Sequence, residues 1–271
     1  MTHVPSAEHD NAFKVMCAVC CAFTFIHVAL YTKRPRLHLL VRFCIKGGAS
    51  SAFLAAALVM LLPDPPQHFS LALLQDTIAV ADPQRLALLS ALTLSAVGDL
   101  LLVWKNNIGF LFGLLAFFAA HVCYIVAFYF TGIDINRLNS SAWPVMVACL
   151  AIAIWLLPSV RGKERGLFVP VVAYLGVITV MVWTAFATEH ADFYVCAVLF
   201  FVSDLGVARE KFIKKAFVND ASVILYYAAQ LIFAYSLCGF NMIFRSLHDL
   251  PTPEELAAQA ARVNAHMAAQ P

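Results

Sequence analysis

The sequence predicts an all-α fold, a polytopic bundle of about eight transmembrane helices, and two observations carry that prediction. The 271-residue chain is 62% hydrophobic and only 13% charged, with a mean hydropathy of +0.81, which is outside the range of a water-soluble domain. Its apolar runs reach the roughly 20 residues that a helix needs to cross a bilayer core of about 30 Å, and they lack the alternation of a membrane barrel. A net charge of +2 excludes any strong electrostatic case for a nucleic-acid partner.

Eight spans are expected, at about 13–31, 37–62, 84–104, 108–130, 142–158, 166–187, 191–208 and 222–245. Turn and charge clusters divide them: Lys33-Arg34-Pro35-Arg36, Pro63-Asp64-Pro65-Pro66, Lys105-Asn106-Asn107 and Arg161-Gly162-Lys163. Between spans two and three, HFSLALLQDTIAV is expected to form an interfacial helix. A polar segment, 1–12, precedes the bundle, and a polar, Ala-rich tail, 246–271, follows it as a frayed helix or disorder. The first residues contain acids and no basic stretch, so the first apolar run is expected to remain as a span rather than be cleaved.

All eight cysteines fall within apolar segments, where a free thiol behaves as a small hydrophobe. Cys17, Cys20 and Cys21 share one helical turn and have no second cluster, which makes a poor zinc site, so no metal and no cofactor are expected. Eleven Lys and Arg residues lie in the odd-numbered loops against five at the termini and even loops. By the positive-inside rule the odd loops should face the cytosol.

Of sixteen Asp and Glu residues, only Asp99 and Asp204 are expected well inside spans, each about five residues from the cytosolic end of its helix. An intramembrane acid costs about 2.5 to 3.5 kcal/mol on the insertion scale, so such groups are usually functional or paired. Polar residues of other helices reach similar depth. Tyr227 and Gln230 share a face of the eighth span, Tyr174 and Lys46 lie slightly deeper, and His121 lies nearer the midplane with Tyr124 one turn beyond. Lys46 is the one cation clearly inside a span, and Arg42 can snorkel. One lysine does not neutralise two acids, so the carboxyls are expected to differ in protonation, as an acid and base pair does. A polar packing network is the simplest alternative. A proton-coupled transporter using Asp99 and Asp204 is another, although no inverted repeat supports it.

The runs Gly98-Asp99-Leu100-Leu101, Gly113 with Phe117, His121 and Tyr124, Pro170 with Tyr174, Phe201-Val202-Ser203-Asp204, and Tyr227 with Gln230 carry a resemblance. In order and spacing they are similar to the YhhN-like membrane family, whose characterised animal members are lysoplasmalogenases. The likeness covers residues 13–245. One departure is Lys46-Gly47, where the family often has Lys-Pro. The resemblance implies an integral protein of the endoplasmic reticulum or another endomembrane. Its substrate would be a lysoplasmalogen drawn from the surrounding membrane lipids, and its reaction would be hydrolysis of the vinyl ether bond to a fatty aldehyde and glycerophosphocholine or glycerophosphoethanolamine. Such an enol ether is opened by carbon protonation and water capture of the oxocarbenium ion, work that two carboxyls can divide as in glycosidases. Asp99, Asp204 and His121 are then the catalytic candidates. Lys46, Tyr124, Tyr174, Tyr227 and Gln230 are the candidates for holding substrate.

Overall fold

Apolar stretches that cannot leave their backbone amides unpaired in lipid close into helices. In the computed structural model, which describes residues 7–33, 39–62, 71–104, 106–213 and 218–238, those residues form nine α-helices and no strand. They are α1 (Ala7–Lys33), α2 (Leu39–Leu61), α3 (Leu71–Val80), α4 (Pro83–Leu101), α5 (Asn107–Thr131), α6 (Ile135–Lys163), α7 (Phe168–Ala187), α8 (Ala191–Phe212) and α9 (Val218–Tyr235). Seven of them are long and apolar enough to cross a membrane, and α9 is a shorter apolar helix beside them. The chain is therefore an all-α, multi-pass membrane protein. Pro63 to Pro66, Arg34 to Arg36, Lys105, Lys214, Lys215, the last residues of the eighth expected span and the 246–271 tail lie outside the described residues.

Local chemistry sets the helix ends. Asp82 caps α4 by accepting from the Arg85 amide at 2.9 Å, with Pro83 in the first turn where a missing N–H costs nothing. Asn106 caps α5 through the Gly109 amide at 2.6 Å. Asp134 accepts from the Asn136 amide at 2.7 Å and so starts α6 seven residues before the apolar stretch that predicts it. The polar run INRLNSS is thus helical rather than loop, because a cap and not hydropathy decides where the helix begins. Of the segment expected to form an interfacial helix between spans two and three, residues 71–80 are helical, as α3.

Helices α4 and α5 form the central hairpin and approach closely because glycines face aromatic and aliphatic side chains. A Cβ at Gly98 would stand 2.8 Å from the Phe117 ring, and one at Gly113 would stand 2.8 Å from Leu102. Around this hairpin, α2 packs on α4 and α9, α9 on α8, and α7 on α5, with α1 and α6 outermost. Despite Lys46-Gly47, α2 runs unbroken, and Gly48 admits the Phe23 ring of α1. The middle of the bundle is filled by Phe53, Tyr124, Phe128, Phe193, Phe200 and Phe233, with the Tyr124 and Phe233 rings stacked at 4.3 Å. Leu40, Trp143, Leu150 and Val169 lie on the outer surface, as lipid-facing positions do.

Candidate active site

Three helices bring a cation, two hydroxyls and a carboxylate together. Lys46 and Ser50 stand one turn apart on α2 and face Asp99 on α4. The Lys46 Nζ lies 2.5 Å from Asp99 Oδ1, while the Ser50 hydroxyl and the Tyr227 hydroxyl of α9 donate to Oδ2 at 2.9 and 2.7 Å. The Asp99 side chain is only 6% exposed. A charge so buried persists when it is paired and its lone pairs are filled, and three donors, one of them cationic, meet that condition.

Asp204 keeps different company. Its Oδ2 accepts a hydrogen bond from Tyr174 of α7. The Tyr174 oxygen lies 2.9 Å from His121 Nε2 of α5, and that nitrogen lies 3.7 Å from the same carboxyl oxygen. Tyr174 has one hydroxyl hydrogen and gives it to Asp204, so His121 donates from Nε2, a tautomer assigned from the network. His121 is fully buried, whereas the Asp204 side chain is 18% exposed. A tyrosine hydroxyl and a shielded imidazole are its partners, with no lysine or arginine in contact among the described residues.

Both carboxyls line one cavity of about 350 Å³ between the α2–α4–α9 side and the α5–α8 side of the bundle. Lys46, Ser203, Tyr226, Tyr227 and Lys211 share its wall. The two acids reach it from unequal positions along their helices. Asp99 is two residues from the end of α4, while α8 continues for eight residues past Asp204 and ends with Arg209 and Lys211 in its last turn. Equal distance from the helix ends is the sequence expectation, and it does not hold because α4 ends three residues before its expected end, at Leu101, while α8 runs four residues past its own, to Phe212.

Of the eight residues singled out from sequence, six fall into the two carboxyl clusters, with Lys46 and Tyr227 on Asp99 and with Tyr174 and His121 on Asp204. The remaining two pair with each other. The Tyr124 hydroxyl donates to Gln230 Oε1 at 3.0 Å in the closed centre of the bundle, and neither residue is among those lining the cavity. Although Tyr227 and Gln230 share a helix face, they serve separate partners.

Sequence reasoning missed Ser50, whose signal was its position four residues after Lys46. It also missed Tyr226, which lines the cavity and donates to the Ser95 carbonyl at 3.0 Å. A further buried acid, Asp192, sits fully enclosed in the first turn of α8, at the edge of a span where an apolar window does not register it.

A carboxyl-lined cavity inside a membrane helix bundle defines the class, a multi-pass membrane protein with a buried acidic site. The YhhN family profile matches residues 41–237, which takes in every residue of both clusters, and the chain belongs to the YhhN family. Among curated relatives it is 29% identical to the bovine lysoplasmalogenase TMEM86A over 167 residues, covering 57% of this chain and 66% of that protein. It is 32% identical to mouse lysoplasmalogenase TMEM86B over 149 residues, 54% of this chain and 61% of that protein. It is 35% identical to the lysoplasmalogenase of Mycobacterium tuberculosis over 157 residues, 54% and 59% of the two chains. The matched region thus spans about three fifths to two thirds of these relatives. No solved structure matches the chain.

Proposed function

We propose that the protein is a lysoplasmalogenase, hydrolysing the vinyl ether bond of a lysoplasmalogen with Asp204 as proton donor and Asp99 as the fixed carboxylate. The observation that carries this reading is the unequal company of two carboxyls on one cavity wall. Asp99 receives a cation and two hydroxyls, while Asp204 receives a single tyrosine hydroxyl. The names of the relatives support the reaction class.

In the proposed reaction Asp204 gives its proton to the outer vinyl carbon. The double-bond electrons form the new C–H bond and leave a cation shared by the inner carbon and the ether oxygen. The Asp99 charge, on the same cavity wall, stabilises that oxocarbenium ion as carboxylates do in glycosidases. Water adds to the inner carbon and returns a proton to Asp204, which restores the acid. The resulting hemiacetal passes its hydroxyl proton to the glyceryl oxygen as that C–O bond breaks, which yields aldehyde and glycerophospho-alcohol with one water consumed. His121 touches Asp204 through Tyr174 and is a positioning residue in this scheme. With Lys46 committed to Asp99, the phosphate is assigned to the end of the cavity at Lys211, at the close of α8. The odd loops would face the cytosol, in the endoplasmic reticulum or another endomembrane.

The test is aldehyde release by the purified full chain from a lysoplasmalogen and from its saturated alkyl-ether analogue. The expected result is aldehyde from the vinyl ether alone, undiminished by a chelator. Vesicle uptake of a solute without aldehyde would overturn the proposal in favour of a transporter.

A further inference from the structure

A second cavity lies directly behind Asp204. It occupies about 60 Å³ between α5, α6, α7 and α8, and its wall is hydrocarbon except for Asp204 and Tyr174, which are bonded to each other. Leu114, Leu175, Ile178, Phe201, Leu205 and Ala208 line it and not the polar cavity. Leu102, Phe110, Phe117, Val207 and Asp204 belong to the walls of both cavities, so the apolar slot and the polar cavity are neighbours with Asp204 at their boundary. On the polar side stand Lys46, Asp99, Ser203, Glu210 and Lys211, none of which reaches the slot.

The geometry points to this slot as the seat of the proximal part of the substrate's hydrocarbon chain, with Leu114 and Ala208 among the residues that set how well the chain fits. The inference rests on the lysoplasmalogenase reading and deepens it. A single-chain amphiphile has one end that needs hydrogen bonds and charge and one that loses nothing by leaving water. The vinyl ether is the junction between those ends, and Asp204 is the junction between the two cavities. By the same volume measure a water takes about 10 to 15 Å³, so the slot holds a short file of atoms, the first carbons of a chain rather than its whole length. The distal chain then continues toward the bilayer. Seated this way, the outer vinyl carbon lies on the slot side of Asp204 and the glyceryl oxygen on the cavity side, the orientation that protonation at carbon requires.

The experiment uses the full chain in nanodiscs, with Leu114→Trp and Ala208→Phe as slot-filling variants and a saturated alkyl-ether lysophosphocholine as a non-hydrolysable probe. The expected result is at least tenfold weaker probe binding by each variant, with KM for the lysoplasmalogen rising more than kcat falls. Wild-type affinity for the probe in both folded variants would overturn the slot. Photolabelling of wild-type protein by the same probe with a diazirine near the ether end removes dependence on variant folding. Label on Leu175, Ile178 or Phe201 is expected, whereas label confined to outward residues such as Val169 and Leu150, or equal slot labelling by a diacyl diazirine lipid, would overturn it. The outcomes separate the two proposals. Slot labelling and lost variant binding without aldehyde release would sink the hydrolase and keep the chain site, and aldehyde release with unlabelled slot residues would do the reverse.

Discussion

The two carboxyls share one cavity and each accepts a tyrosine hydroxyl, but they differ in the rest of their company. Asp99 lies in a cluster drawn from α2, α4 and α9, with a lysine, a serine and a tyrosine on its two oxygens. Asp204 lies in a cluster drawn from α5, α7 and α8, reached by a tyrosine that a buried histidine supports. Removing charge from water is costly unless partners replace the water, and here one acid has its full complement while the other does not. The difference teaches that a membrane bundle can give two acids at one site different company by choosing which helix supplies the cation, and the proposed function assigns them opposite purposes on that ground, one as a fixed charge and one as a proton carrier.

The largest expected effect breaks that contrast at its source. Asp204→Asn should cut aldehyde release by about 10²- to 10⁴-fold, the usual contribution of a general acid, while the melting temperature in detergent stays near that of the wild type. An Asp204→Asn protein that turns over normally would remove this residue from the chemistry. Asp99→Asn should also abolish most activity, and in addition it should destabilise the fold, because Lys46 then has no carboxylate. Breaking a fully buried pair costs about 3–5 kcal/mol, and since Lys46 keeps some solvent contact the loss here should be nearer 1–3 kcal/mol. Adding Lys46→Met to Asp99→Asn should then recover stability but no activity. Failure of that recovery would show that Lys46 and Asp99 do not act as a pair.

A smaller effect sharpens the comparison. Tyr174→Phe removes the hydroxyl through which His121 reaches Asp204, whereas Tyr227→Phe removes one of three donors to Asp99. In the proposed reaction Asp204 becomes charged as it gives up its proton, and a hydrogen bond to a charged group is worth about 1.5–3 kcal/mol, so a bond that strengthens in that step predicts a drop in kcat of roughly ten- to a hundredfold for Tyr174→Phe. The loss for Tyr227→Phe should be several-fold smaller. His121→Gln should resemble Tyr174→Phe in direction and be milder, since Tyr174 keeps its own bond to Asp204. Equal losses for the two tyrosine variants would contradict the difference in how the acids are supported.

How far the sequence foretells this site depends on what kind of signal each residue gives. Asp99, Asp204 and Lys46 stand out because charges are rare in apolar runs, and helix counting places them near one end of the bundle. Their partnership is not legible, since nothing in the linear order says that α2 rather than α7 faces α4. Ser50 illustrates the limit, for a serine inside a span is an ordinary packing residue until the neighbouring helix puts an acid opposite it. The same holds for helix ends. Apolar windows locate α5 to within one residue at each end, yet they start α6 late because the Asp134 cap carries the helix through a polar stretch. Pattern reads burial along one helix, and tertiary packing decides which faces meet.

Tyr124 and Gln230 put the smallest expected effect on the comparison, as a buried polar pair that serves neither acid. They are bonded to each other at 3.0 Å in the closed centre of the bundle, and neither lines the cavity or the slot. Tyr124→Phe deletes the donor and leaves the Gln230 oxygen without it, which should cost about 1–3 kcal/mol of stability. Gln230→Leu alone should cost a similar amount by stranding the tyrosine hydroxyl. Replacing both at once strands neither group, so the Tyr124→Phe, Gln230→Leu double variant should be more stable than the sum of the two losses implies, with a coupling of about 0.5–3 kcal/mol in a double-mutant cycle. Turnover should stay within about twofold of wild type, less than the loss from any single donor to a charged group. A tenfold fall in kcat for the folded double variant would move this pair out of the packing and into the site, because no loss of that size follows from a neutral bond that touches neither carboxyl.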